Sequence, residues 1–273
     1  MKLALNQWCF GNDVELKSIF TACQRAGVDG VELNLQGPGG VGLTLDSTPD
    51  DVRAIAKQAR AAGLEMKSLA TSLLWEFPLS APKPDVRRQA RSIVQKQLEI
   101  ASWLEMDAIL VVPGLVTPEV SYEACYERSL NELVELAEVA GRMGIRIGVE
   151  NVWNRFLLSP LELKTYVDTI GSPWVGVYFD VGNVLAFGFP EQWIRILGQR
   201  IVKVHVKDYS RSIGNIHGFV PLLAGDVDWP QVMQALREIG YDDYLTAECL
   251  PYRYAPVQIA SDIAGQLRSI SRL

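Results

Sequence analysis

Four side chains are singled out by where they fall. Glu150, Asp180, His205 and Glu248 each lie at or beside the end of a short run rich in branched apolar residues: IRIGVE (145–150), WVGVYFD (174–180), IVKVHV (201–206) and DYLTAE (243–248). Glu32 holds a similar place in DGVELNL (29–35). In an extended strand, alternate side chains face opposite sides. Ile145, Ile147 and Val149 therefore share one side, and Arg146, Gly148 and Glu150 the other. The same parity separates Val202, Val204 and Val206 from Lys203 and His205, and Leu245 and Ala247 from Thr246 and Glu248. If the apolar sets face covering helices, the polar sets converge. Three carboxylates brought together repel one another unless a cation lies among them. Three oxygen donors and one imidazole suit a single divalent ion: Mn²⁺ first, then Co²⁺ or Mg²⁺, with Zn²⁺ less favoured. The alternative is a structural ion-pair network with Arg146, Lys203 and Lys207. Arg146 and Lys203 should lie deeper, paired with acids such as Glu32, because a buried charge needs a partner.

The elements that must position these residues alternate along the whole chain. Strands are predicted at 2–8, 29–35, 65–70, 107–112, 145–150, 174–180, 201–206 and 243–248, and helices at 13–26, 49–62, 84–105, 119–142, 159–170, 190–198, 229–239 and 256–270. In 119–142, Tyr126, Leu130, Leu133, Val134, Ala137 and Ala140 recur at helical spacing and form one apolar face. Thr48-Pro49-Asp50-Asp51 and Ser159-Pro160-Leu161-Glu162 read as helix starts, with a capping hydroxyl, a proline in the first turn and acids on the positive end of the dipole. Strict alternation means parallel strands joined by right-handed crossovers. Eight such units without a composition break predict an α/β fold, a closed (β/α)₈ TIM barrel formed by one domain over 1–273, with an open doubly wound sheet as the alternative. The long connections 36–48, 71–83 and 207–228 all follow strands, so all rise from the face where a barrel carries its active site.

Composition narrows the classes. The 273 residues are 48% hydrophobic and 21% charged, ordinary for a globular chain that can bury a core. The net charge of −6 argues against a nucleic-acid partner, and no apolar run is long enough for a membrane span. No signal peptide is expected at the N-terminus. Cys9, Cys23, Cys125 and Cys249 form no C-x-x-C pair and read as reduced thiols of a cytoplasmic protein. His205 and His217 are the only histidines, and His217 sits in a glycine-rich stretch as a loop residue. Gly37 to Gly42 spell G-x-G-x-x-G, but no helix opens at the third glycine, so the segment is a barrel-top loop rather than a nucleotide site.

GVEN (148–151), YFDVGN (178–183), VHVKD (204–208), GDVDW (225–229) and TAE (246–248) resemble the xylose-isomerase-like TIM barrels. Within that superfamily they are most similar to sugar (phosphate) isomerases/epimerases of the keto-sugar and L-xylulose/L-ribulose 5-phosphate 3-epimerase type. The resemblance spans essentially the whole chain. It implies that Glu150, Asp180, His205 and Glu248 bind one divalent ion and that Glu150 and Glu248 are the catalytic acid/base pair. It matches Arg211, six residues after His205, to a substrate-contacting arginine. Two positions depart from the pattern: Asn183 stands where a histidine is common, and Leu157 follows Asn154-Arg155-Phe156 where a carboxylate is common.

These matches imply C3 epimerisation of a ketose or ketose phosphate. One glutamate would take the C3 proton, an enediolate would form, and the other would return a proton to the opposite face. A lyase acting on a keto-inositol or a 3-keto-glycoside with the same site is the alternative. Candidate substrate contacts are Trp8, Glu32, Asn183, Lys207 and Arg211. Trp75, Trp153 and Trp229 also lie at or beyond strand ends, where an aromatic face could take a sugar. The expected partner is a small sugar or sugar phosphate, and the expected assembly is a homo-oligomer, a dimer or tetramer.

Overall fold

The computed structural model describes residues 1–273. Eight parallel strands form a closed ring: β1 (Lys2–Asn6), β2 (Gly30–Gln36), β3 (Ser68–Thr71), β4 (Ala108–Val111), β5 (Arg146–Glu150), β6 (Val175–Asp180), β7 (Ile201–Val206) and β8 (Tyr244–Ala247). Each pairs with its neighbours in sequence, and β8 closes on β1 through Lys2↔Tyr244 to Leu5↔Ala247. The eight main helices follow the strands in turn: α1 (Leu16–Ala26), α2 (Pro49–Ala61), α3 (Pro84–Trp103), α4 (Tyr122–Met143), α5 (Pro160–Ile170), α6 (Pro190–Leu197), α7 (Trp229–Glu238) and α8 (Ile259–Ser271). The predicted (β/α)₈ TIM barrel is the observed fold. No helix is long and apolar enough to cross a membrane.

Local chemistry sets the ends of these elements. The Thr48 hydroxyl accepts from the Asp51 amide while the Asp51 carboxylate accepts from the Thr48 amide, a reciprocal cap on α2. Ser159 caps α5 in the same position, accepting from Glu162 N. Gly144 ends α4 at φ +71°, a conformation that costs a residue with a Cβ. The first strand is shorter than predicted. The Asn6 side chain accepts from Trp8 N at 2.7 Å and turns Gln7–Phe10 into a 3₁₀ turn. The long connections are also partly ordered. Leu43–Thr44 pairs with the end of β2, Leu73–Glu76 is a helical turn, and Asp208–Tyr209 pairs with Phe219–Val220 as a small antiparallel hairpin.

Branched apolar side chains of the strands and the inner faces of the helices form one continuous buried cluster. Inside the ring the polar sets stack in layers. At the floor, the Lys203 ammonium is 2.6 Å from Asp243 Oδ2 and 3.4 Å from Asp107 Oδ2. This corrects the expected pairing with Glu32, which lies a layer higher. Arg146, the first residue of β5, stays half-buried at the rim of the floor and makes no ion pair with any acid. A basic side chain there keeps access to water and needs no acidic partner.

Candidate active site

The wall order brings the candidate ligands together. Strands β5, β6, β7 and β8 are consecutive neighbours, and the register places Glu150 opposite Tyr178 and Asp180 opposite His205. Glu248 is the residue after β8, and its amide donates to Val206 O. Parallel strands that end at one level on four adjacent positions must bring the side chains at their ends to one place. One donor atom from each of Glu150, Asp180, His205 and Glu248 lies within 4.8 Å of the others. Asp180 and His205 are completely buried and Glu150 is 6% exposed.

Each side chain is oriented by its neighbours. Asp180 caps the short turn Val181–Val184, its Oδ1 accepting from Asn183 N at 2.7 Å. The Asn151 amide exchanges two hydrogen bonds with the Asp180 backbone, both at 2.8 Å. The His205 ring packs against Tyr178, with centroids 4.5 Å apart, and its Nε2 lies 2.6 Å from Glu32 Oε2. Its Nδ1 points into the cluster, 2.9 Å from Glu248 Oε2 and 3.8 Å from Glu150 Oε1. Neither contact has hydrogen-bond alignment, so Nδ1 has no partner; Asp180 Oδ2 likewise has none. Lys207 Nζ lies 3.2 Å from Asp180 Oδ2 and 3.0 Å from Glu248 Oε1.

These contacts divide the carboxylates electrostatically. Burial pushes Glu150 up to about 7, with the Glu248 charge adding to the shift and His205 and Lys207 opposing it. Burial raises Asp180 too. Burial also acts on Glu248, but there the Lys207 ammonium and His205 outweigh it and hold the carboxyl down at about 2. His205 is raised well above the ordinary histidine range: burial alone would lower it, and the charge of Glu32, its bond to Nε2 and the nearby carboxylates of Glu150 and Glu248 reverse that.

The donor set fits a divalent cation. Metal–ligand bonds of about 2.0–2.3 Å put neighbouring donors roughly 3–4.6 Å apart, close to the spacing here, where all four donors lie within 4.8 Å of one another. A cation would also engage the two buried atoms that make no hydrogen bond, Asp180 Oδ2 and His205 Nδ1. The larger surface clefts carry no comparable set; the one of 470 Å³ at the barrel floor is lined by Arg146, Asp168 and Arg200.

The other sequence-predicted site residues lie in different places. Lys207 joins the cluster. Glu32, read as a substrate contact, is 1% exposed beneath His205, with both oxygens bound by protein donors. Asn183 is 4% exposed and acts as a strut: its Nδ2 donates to Asn151 O and its carbonyl accepts from Trp153 Nε1. The Arg211 guanidinium turns outward, donating to Leu185 O at 3.2 Å and lying over the Phe189 ring. Trp8 is half-buried on the turn after β1. Trp229 anchors a loop through Nε1 to Asp208 Oδ2 at 3.1 Å, and His217 is an exposed loop residue. Cys9 and Cys249 meet as packed thiols, the Cys249 amide donating to Cys9 Sγ. Asp208 was not singled out by the sequence reading. It is fully buried and accepts from Tyr209 N, Leu223 N, Val227 N and Trp229 Nε1, organising the whole 207–228 connection. Its signal was its place inside VHVKD, directly after Lys207.

Residues 20–270 match the family model described as xylose isomerase-like TIM barrel. The chain belongs to that family. Among curated relatives, L-ribulose-5-phosphate 3-epimerase UlaE of Escherichia coli (strain SMS-3-5 / SECEC) is 25% identical over 238 residues, covering 84% of this chain and 78% of UlaE. Two solved structures share the family fold closely. The IOLI protein with a binding zinc atom has a TM-score of 0.83 at 19% identity, covering 99% of this chain and 98% of that one. L-ribulose 3-epimerase has a TM-score of 0.82 at 17% identity, covering 99% and 94%.

Proposed function

We propose that this protein is a divalent-metal-dependent sugar epimerase that inverts C3 of a ketose or ketose phosphate. The observation that carries the reading is the pair Glu150 and Glu248. They stand on β5 and just past β8, with β6 and β7 between them in the wall, and both face the same imidazole nitrogen, at 3.8 and 2.9 Å. Their environments separate their proton affinities, Glu150 upward and Glu248 downward. Two carboxyls so separated can act as donor and acceptor in one reaction. The name of the curated relative UlaE supports a ketose substrate.

Glu150, Asp180, His205 Nδ1 and Glu248 would hold the ion. When bound, it supplies a Lewis acid that polarises a ketose carbonyl and acidifies the adjacent C–H. Glu248, kept ionised by Lys207, takes the C3 proton on a carboxylate oxygen. Glu150, protonated on the oxygen that does not hold the ion, returns one to the other face of the carbon. In the reverse direction the roles exchange. Lys207 holds Glu248 and Asp180 in register through the cycle.

The reading extends to manganese as the resident ion, given three oxygens and one nitrogen as donors. It also extends to a single-domain, cytoplasmic homo-oligomer. Four free cysteines and the exposed apolar side chains Leu250, Tyr252 and Tyr254 support these points. The test is incubation with a panel of ketoses and their phosphates in D₂O with Mn²⁺, followed by NMR. Deuterium at C3 with the inverted sugar supports the reading. Loss of water or of an aglycone would assign the elimination chemistry instead. No exchange with any ketose in the metal-loaded protein overturns it.

A further inference from the structure

Glu32 is not one of the four ligands, yet it faces the only imidazole among them. Its Oε2 lies 2.6 Å from His205 Nε2 and accepts from Asn6 Nδ2 at 2.5 Å. Its Oε1 accepts from Ser68 Oγ at 2.6 Å and from the Tyr178 hydroxyl. The four partners come from β1, β3, β6 and β7, so the carboxylate is tethered from four directions and cannot swing. It is also deep, at 1% exposed. An ionised carboxylate only accepts hydrogen bonds. A bare Nε2 would set two lone pairs against each other at 2.6 Å, so Nε2 must carry a proton. In the neutral ring the lone pair then belongs to Nδ1, the atom that points at Glu150 and Glu248 and has no hydrogen-bond partner.

We propose that Glu32 is a positioning residue that holds His205 in the Nε2–H tautomer, delivers Nδ1 to the ion as a donor, and thereby sets the affinity of the site for a divalent cation. The inference rests on the metal-site part of the proposed function and not on the sugar. A carboxylate behind a ligating imidazole raises its basicity as well as fixing its orientation, and removing such a partner weakens metal binding by 10- to 100-fold. The two ends of the Glu32 carboxylate differ in what they tolerate. Ser68 and Tyr178 can accept as well as donate, so an amide NH₂ fits at Oε1, while the amide oxygen still receives His205 Nε2–H and Asn6. Glu32→Gln therefore keeps the tautomer with a weaker bond; Glu32→Ala removes the acceptor.

Zinc is the probe, because it is diamagnetic. Its dissociation constant, measured by competition with a chromophoric chelator, is expected to rise about 10- to 100-fold in Glu32→Ala and less in Glu32→Gln. The chain has two histidines, so ¹⁵N-histidine NMR of the zinc-loaded protein shows two imidazoles, and His217→Gln assigns them. The wild type is expected to show His205 protonated at Nε2 and zinc-bound at Nδ1. A proton on Nδ1 overturns the proposal, as does unchanged zinc affinity in Glu32→Ala with only a lower melting temperature. If Glu32→Ala does not fold, the wild-type spectrum and the Gln affinity still decide. Neither readout involves a sugar, so failure of the epimerase reading leaves both intact. A wild-type protein that binds no zinc removes the metal site and this inference together.

Discussion

Ion binding at the barrel mouth should depend steeply on pH, because the free donors hold protons that an ion must displace. In the metal-free protein Glu150 sits at about 7. At pH 6 it is about ten parts in eleven protonated, and at pH 8 about one part in eleven, which makes roughly a tenfold difference in apparent affinity. The charge of Glu32 and the surrounding carboxylates raise His205 as well, and a proton on Nδ1 must leave before that atom can ligate. Glu248, held down at about 2, adds nothing. The sign is the same for both contributing groups: lower pH favours the protonated, metal-free form. Affinity for Mn²⁺ or Zn²⁺ should therefore fall from pH 8 to pH 6 by at least the roughly tenfold that Glu150 supplies, or about 1.4 kcal/mol. Titration calorimetry in buffers of different ionisation enthalpy measures it directly. Proton release per ion should be greater at pH 6 than at pH 8 by nearly one, the proton on Glu150. Binding that is flat across the window, or that releases no protons, would falsify the assignment of His205 Nδ1 and Glu150 as ligands.

Other perturbations probe the remaining contacts. Glu150→Gln and Glu248→Gln should each lower C3 exchange by at least about 10²-fold while circular dichroism stays native; full exchange in either variant removes the acid/base pair. Lys207→Met leaves Asp180 and Glu248 without their cation and should lower metal-free stability by about 3 kcal/mol in denaturant titration, whereas an unchanged midpoint means that the ammonium does not hold the two acids. Asp208→Ala strands four donors on the 207–228 connection and should cost about 2 kcal/mol. Proteolysis within that connection should quicken in parallel, and equal cleavage rates in the two proteins would contradict its organising role.

Much of the site was legible because strand parity is simple. Once Val149, Val177, Val204 and Leu245 are assigned to the helix side, Glu150, His205 and Glu248 have one direction left, and eight β–α units give the wall order. Height within the ring was not legible. It depends on the stagger between strands, and here Glu32 pairs in register with Asn6 and ends level with His205 instead of sinking to Lys203. The partners of Lys203 still left a trace, since Asp107 and Asp243 each stand directly before a strand, at the floor end. Loop residues were read least well. Counting from His205 finds Arg211, but the hairpin formed by Asp208–Tyr209 and Phe219–Val220 turns its side chain toward Leu185 and Gly188, and no sequence spacing records that turn.

The closing seam between β1 and β8 carries a consequence for synthesis. Glu248 is set in place by β8, which must dock against β1 to close the ring. A nascent chain that has emerged only as far as α7 already carries Glu150, Asp180 and His205, but it has no fourth ligand and an open seam. If the proposed metal site is right, ion capture and completion of the cylinder are coupled in one step. Ion uptake would then report whether a growing or truncated polypeptide has reached its finished shape.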